Sequence, residues 1–165
     1  MLDFAIKHQD ALNLKSMKTL NDLHFKYVYG AYSDLNKKIE TDTWNKLQYV
    51  SIDPKTGEVI GYISASIDRI CHYAHSLVAI NYTKKPNIIF SKDFVTFIKQ
   101  LFEVYKFNKV QWSVLINNPA EKMYDRFIEK HNGRIVGIYK EETYTFDHEL
   151  CDKKLYEILR KDYIK

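Results

Sequence analysis

The chain has 165 residues, 45% of them hydrophobic and 28% charged, with a formal net charge of +4. That length suits a single domain over residues 1–165 with a core of its own. The charge is small and scattered, which argues against a nucleic-acid partner, and no apolar run approaches membrane-spanning length. Cys71 and Cys151 have neither metal nor redox spacing and read as free thiols in a reducing compartment, so the expectation is a soluble, cytoplasmic protein.

In chain order, Leu2 to Ile6 can form a short first strand. Asp10 to about Tyr32 reads as mostly helical, with Leu12, Leu14, Met17, Leu20, Leu23, Tyr27 and Val28 near helical spacing. Phe25, Tyr27, Tyr29 and Tyr32 cluster before Ser33, where they either line a substrate groove or simply pack. Ser33 to Lys46 is polar and reads as a loop with a short helix. Leu47 to Ile52 and Glu58 to Asp68 are strands joined by the turn Asp53-Pro54-Lys55-Thr56-Gly57, an antiparallel hairpin. His75 to Thr83 continues the meander. Lys84-Lys85-Pro86-Asn87 then breaks the pattern, and Ser91 is placed to cap a helix whose stripe is Phe94, Ile98, Leu101, Phe102 and Tyr105.

The stretch from Val110 to Gly133 is the most legible. Val110, Trp112, Val114 and Ile116 alternate with Gln111, Ser113 and Leu115, the period of a strand. After Pro119 the period changes: Ala120, Met123, Tyr124, Phe127 and Ile128 form one helical stripe, with Tyr124 about two turns along. Asn118 and Glu121 suit the helix start, Pro119 its first position, and Gly133 a left-handed stop. The strand, helix and strand over 75–116 make a β-α-β unit, so two neighbouring strands run parallel. Arg134 to Lys140 is a further strand, and Thr143 to Phe146 is placed to extend it. Asp152 to Tyr163 suits either a helix or a strand by periodicity.

The order of these elements, with Ile60-Gly61-Tyr62-Ile63, Asn117, Ala120 and Tyr124 at spacings of three and seven, Gly133-Arg134-Ile135-Val136-Gly137 and the tail from Lys154 to Tyr163, resembles the GNAT superfamily of acyl-CoA-dependent N-acetyltransferases. Within it the chain looks closest to the branch acetylating ribosomal-protein N-termini and related small amines. The resemblance covers about residues 45–163. It implies an α/β (α+β) fold with a mixed, mostly antiparallel central sheet, a splayed parallel pair of strands and flanking helices. It also makes the final segment a strand.

The resemblance further implies that acetyl-CoA donates an acetyl group to a primary amine of a small molecule or protein, in a monomer or homodimer. The pantetheine arm would lie between the splayed strands, with backbone contacts near Ile80 and Tyr82, Asn117 at the end of the second strand, and the phosphates near Asn87, Ser91 and Lys92. Tyr124 matches the tyrosine that protonates the leaving thiolate. His72, His75 and Glu58 are candidate bases beside a water chain. One departure stands out. The family's pyrophosphate loop is glycine-rich, whereas Lys84 to Asp93 contains no glycine. That departure, and Asp93 competing for the helix amides, support the alternative of an inactive binding or assembly module with the same fold.

Overall fold

The computed structural model of the chain describes residues 1–20, 22–28 and 37–163. Tyr29, Tyr32 and the start of the polar stretch at Ser33 lie outside the described residues. Seven strands form one sheet: β1 (Leu2–Phe4), β2 (Lys46–Ile52), β3 (Val59–Asp68), β4 (Tyr73–Asn81), β5 (Lys109–Leu115), β6 (Arg134–Tyr144) and β7 (Leu150–Leu159). Their order is β1-β2-β3-β4-β5-β7-β6. Every neighbouring pair is antiparallel except β4 and β5, which run parallel. The β4–β5 connection is α2 (Ile88–Glu103), as a parallel crossover requires. Helices α1 (Gln9–Leu20), α3 (Glu121–Lys130) and α4 (Arg160–Tyr163), with two short 3-10 turns at Ala5–His8 and Leu23–Phe25, are the other regular elements among the described residues.

Two apolar clusters hold the sheet. In the larger, Phe94, Phe97, Ile98, Leu101 and Phe102 of α2 and Tyr124, Phe127 and Ile128 of α3 pack on Leu47, Ile63, Ala65, Val110, Trp112, Val114, Tyr156 and Ile158. In the smaller, Leu12 of α1 joins Ala5 and Ile39 over Val50, Ile52, Val59 and Tyr62. β3 is therefore buried along most of its length, not on alternate residues alone, because both of its faces are covered.

Several sequence expectations need correction. The first helix ends at Leu20, well before Tyr32. Its inward face is Leu12, Ser16 and Thr19, while Leu14 and Met17 point outward. The Ser16 hydroxyl is satisfied by Tyr82 Oη at 2.8 Å, and Thr19 Oγ1 donates to the Lys15 carbonyl; these bonds let polar residues occupy a buried stripe. Ser91 does not cap α2. Asn87 does, through Oδ1 accepting from the amides of Ile89 (2.9 Å) and Phe90 (3.1 Å), so the helix begins at Ile88. Helix α3 begins at Glu121, which puts Tyr124 in its first turn. Asn132, not Gly133, adopts the left-handed conformation that ends α3, with φ of 52°. The Gly133 amide then reaches the Ile128 carbonyl at 2.9 Å, closing a Schellman turn. Gly133 is needed for room instead: a Cβ there would lie 2.7 Å from Ile128 and from Ile158.

The last segment is a strand through Leu159, because it supplies β5 with a partner at every residue from Lys109 to Leu115. Tertiary pairing overrides an ambiguous local pattern. Only after Leu159 does the chain turn helical, and Tyr163 stacks on Phe102 (4.6 Å between centroids) and on His131 (4.8 Å).

Gly61 marks where β3 meets the start of α2. A Cβ at this position would fall 2.2 Å from Cδ2 of Phe90 and 2.9 Å from the Ile80 carbonyl oxygen. Gly61→Ala is expected to lower stability by about 1–3 kcal/mol, the usual range for overpacking. Urea unfolding monitored by circular dichroism checks this, and wild-type stability would show that Phe90 moves aside freely.

Candidate functional site

The parallel ladder between β4 and β5 is short. It pairs Tyr73 with Lys109, Ala74 with Val110 and, after a bulge, Leu77 with Trp112. Within the bulge Ser76 has φ of 48°. Beyond Leu77 and Trp112 the strands are no longer paired, although β4 continues to Asn81 and β5 to Leu115. The unpaired edges of the two strands beyond that point are the candidate slot.

The β3–β4 register fixes which backbone groups face this slot. The Tyr82 amide donates to the Ile60 carbonyl at 2.9 Å, and Ile80 stands opposite Tyr62. In an antiparallel ladder, hydrogen-bonded and non-hydrogen-bonded positions alternate. Ile80 and Tyr82 thus direct their backbone groups at β3, and Ala79 and Asn81 direct theirs at the slot. The backbone groups free of β3 are thus those next to the expected Ile80 and Tyr82. A one-residue shift cannot be read from sequence, because it depends on the bulge and on the pairing partner.

Tyr124 stands beside the point where the strands part. Its ring lies 5.4 Å from Phe94, 6.0 Å from Trp112 and 6.1 Å from Tyr156, centroid to centroid. The residue is only 5% exposed, and burial pushes its phenol above the ordinary tyrosine value. Desolvation disfavours the phenolate, so the hydroxyl is held as a proton donor.

The turn from β5 into α3 is braced by charge. Asn117 has φ of 69° and leaves its carboxamide at the surface. Its amide donates to Glu121 Oε2 at 2.9 Å, and Asn118 Oδ1 accepts from the Ala120 amide. Lys154 on β7 reaches Glu121 Oε1 at 2.5 Å and Asp125 at 3.1 Å, and Tyr156 Oη donates to Asp125 Oδ1 at 2.7 Å. Burial works to lower the Lys154 pKa, but the two carboxylates outweigh it and the net shift is upward. Lys154 thereby ties β7 to the first turns of α3, on the same short helix as Tyr124. Sequence reasoning missed Lys154 and Asp125, because their proximity depends on β7 lying beside β5.

Lys154→Met keeps most of the apolar stem and removes the charge. The expected loss is about 1–3 kcal/mol, the range for hydrogen bonds to charged groups discounted for partial exposure. Thermal unfolding checks it, with Lys154→Arg expected to recover most of the difference.

At the start of α2 the expected phosphate ligands have other partners. The Asn87 carboxamide oxygen occupies two helix amides, as described, and Ser91 Oγ donates to the Asn87 carbonyl at 3.0 Å. Lys92 is exposed. Lys84 pairs with Asp22 at 2.5 Å. Asp93 does not compete for the amides. It is buried against β2, where Ser51 Oγ donates to it at 2.6 Å and the amino group of Met1 lies 3.0 Å away. Two of the candidate bases sit at the paired end of β4, while Glu58 precedes β3 at the end where β4 runs out unpaired. His72 lies in the β3–β4 turn against Phe107, and His75 beside Ser76 next to the paired end of β4. Glu58 is exposed and lies 3.7 Å from Lys15.

No protein-family model matches the chain, and no curated protein matches it. Solved structures do. A GCN5-related N-acetyltransferase from Brucella melitensis superimposes with a TM-score of 0.69 over 99% of this chain and 76% of its own, at 18% identity. A probable acetyltransferase gives 0.69 over 93% and 89%, at 16% identity. The spermidine/spermine N-acetyltransferase SpeG from Vibrio cholerae gives 0.61 over 74% and 69%, at 18% identity. The chain has the GNAT fold. At these identities the likeness is one of architecture, in which the mostly antiparallel sheet, the parallel β4–β5 pair and the flanking helices all take part. Among the described residues no helix is long and apolar enough to cross a membrane.

Proposed function

We propose that this chain is an N-acetyltransferase, moving an acetyl group from a coenzyme A thioester to a primary amine. The observation that carries this reading is the parting of β4 and β5 beyond Leu77 and Trp112, beside a buried, protonated Tyr124. When bound, the thioester supplies an activated acetyl group and a thiol leaving group. The backbone groups of Ala79 and Asn81 are placed to bind an extended amide-bearing arm as a neighbouring strand would. Asn117 offers its carboxamide at the far end of β5. Tyr124 holds a proton for the departing sulfur, as a phenol does at neutral pH even without burial. Proton removal from the amine falls to water or to Glu58 in this scheme, since His72 and His75 lie at the paired end of β4.

The acceptor class is a primary amine of a small molecule or a protein. A ribosomal-protein N-terminal peptide and spermidine are the two acceptors to test first, the former from the sequence resemblance and the latter from the likeness to SpeG. A thermal-shift titration with acetyl-CoA tests the donor, because a ligand that binds only the native state raises the melting temperature. A rise supports the reading, and no rise at millimolar donor overturns it. The second reading, a binding module without turnover, is favoured by one observation: Asn87 already fills the amides at the start of α2. A donor-induced thermal shift without acetylation of any amine would select it.

A further inference from the structure

The two ends of the donor site are in different states of readiness. At the slot, the backbone of Ala79 and Asn81 has no strand partner on the β5 side, and the Asn117 carboxamide stands at the surface. At the nucleotide end, the capping groups are satisfied within the chain, and Lys85 and Lys92 remain as exposed cations. The Ile89 and Phe90 amides bond to Asn87 Oδ1, and Ser91 Oγ turns back to the Asn87 carbonyl. The preceding loop is closed by Asn81, whose Oδ1 accepts from the Thr83 amide at 3.0 Å and whose Nδ2 donates to the Lys85 carbonyl at 3.1 Å. Lys84 is paired with Asp22.

Backbone shape points the same way. An anion nest often forms where successive amides converge through a residue of positive φ. Among the described residues those of positive φ are Gly57, His72, Ser76, Lys106, Asn117, Asn132, Glu141 and His148, and none lies between Tyr82 and Ser91. The loop from Lys84 to Asp93 contains no glycine that could adopt one without strain. A pyrophosphate arriving here would have to displace the Asn87 cap and would find a helix end instead of a cradle. The residues present therefore fit the arm of coenzyme A and not its pyrophosphate.

We propose that this chain recognises its acyl donor through the pantetheine arm, with little contribution from the nucleotide, so that thioesters lacking the nucleotide are donors in their own right. The inference rests on the donor reading given above. The reaction balances as before: the amine nitrogen bonds to the thioester carbonyl carbon and loses a proton, the carbon–sulfur bond breaks, and the thiolate takes up a proton.

Binding measured by isothermal titration calorimetry separates the possibilities, with acetyl-CoA and acetyl-pantetheine as the two probes. A pyrophosphate held by several charge-assisted hydrogen bonds would favour acetyl-CoA by about 100-fold or more. The expected result is a difference below about tenfold. A preference for acetyl-CoA above 100-fold overturns the inference and leaves the donor reading intact; failure of both thioesters to bind overturns the two together. Asn87→Gly supplies a second arm, since glycine at this capping position costs little stability. It uncovers the Ile89 and Phe90 amides, and the expected effect is severalfold tighter acetyl-CoA with acetyl-pantetheine unchanged. An equal response of both thioesters, or of neither, would refute the assignment of the filled site to Asn87.

Discussion

Replacing Tyr124 by phenylalanine is expected to reduce acetyl transfer by about 10²–10⁴-fold while leaving the donor-induced thermal shift in place. The ring is held by Phe94, Trp112 and Tyr156, and phenylalanine keeps those contacts. Only the hydroxyl is lost, and with it the proton for the leaving sulfur. Steady-state kinetics with saturating acetyl-CoA and a responsive amine provide the measurement. Unchanged turnover would remove Tyr124 from the acid role and leave it a core residue.

A pH dependence follows from the same burial. Desolvation is the first cause raising the phenols of Tyr49, Tyr124 and Tyr156 above their ordinary value. In the unfolded chain they titrate near pH 10. Above that pH the unfolded state gives up protons that the native state keeps, so stability falls as pH rises; below it, these groups contribute their full share. Urea midpoints are expected to be level between pH 8 and about 9.5 and to decline beyond pH 10. For turnover, Tyr124 introduces no alkaline limb below about pH 10, because its acid form persists there.

Phe97→Ala is expected to lower stability by about 3–5 kcal/mol, the range for emptying a buried aromatic site. Phe97 has no exposed surface and lies edge-on to Tyr49, 5.5 Å between centroids, at the centre of the cluster joining α2 to the sheet. The ring is enclosed by neighbours on several elements, so the cavity cannot collapse without moving α2. Val95→Ala, two residues away on the outer face of the same helix, is expected to change stability by no more than about 0.5 kcal/mol. Urea denaturation of both variants checks the contrast, with m-values unchanged if the loss lies in the native core.

Phe97 lies outside the helical stripe expected from the sequence, although it is fully buried. Helical spacing identified Phe94, Ile98, Leu101, Phe102, Tyr124, Phe127 and Ile128, which are buried, and Tyr105, Ala120 and Met123, which are half-buried, Tyr105 lying past the end of α2. These stripes are strongly apolar on one side, so periodicity is decisive. In α1 it misled, because the buried face carries Ser16 and Thr19 and the exposed face carries Leu14 and Met17. Hydrogen bonds to Tyr82 and to the helix backbone make that inversion possible, and no pattern of hydropathy encodes them. Ser91 misled for a related reason. Both Asn87 and Ser91 are good capping residues, and the choice fell to the one whose backbone was already extended after Pro86.

From its own residues the chain dictates the order of strands and helices, the crossover that makes β4 and β5 parallel, and the turn that carries Asn117 into the helix of Tyr124. These follow from local periodicity and from capping chemistry, which act over a few residues. Three things came only with the folded sheet. Pairing with β5 made the last segment a strand. The bulge at Ser76 and the β3 register turned Ala79 and Asn81, not Ile80 and Tyr82, toward the slot. The approach of β7 to α3 brought Lys154 to Glu121 and Asp125. Each depends on which distant segment becomes a neighbour, and that is settled by burial and hydrogen bonding across the whole sheet.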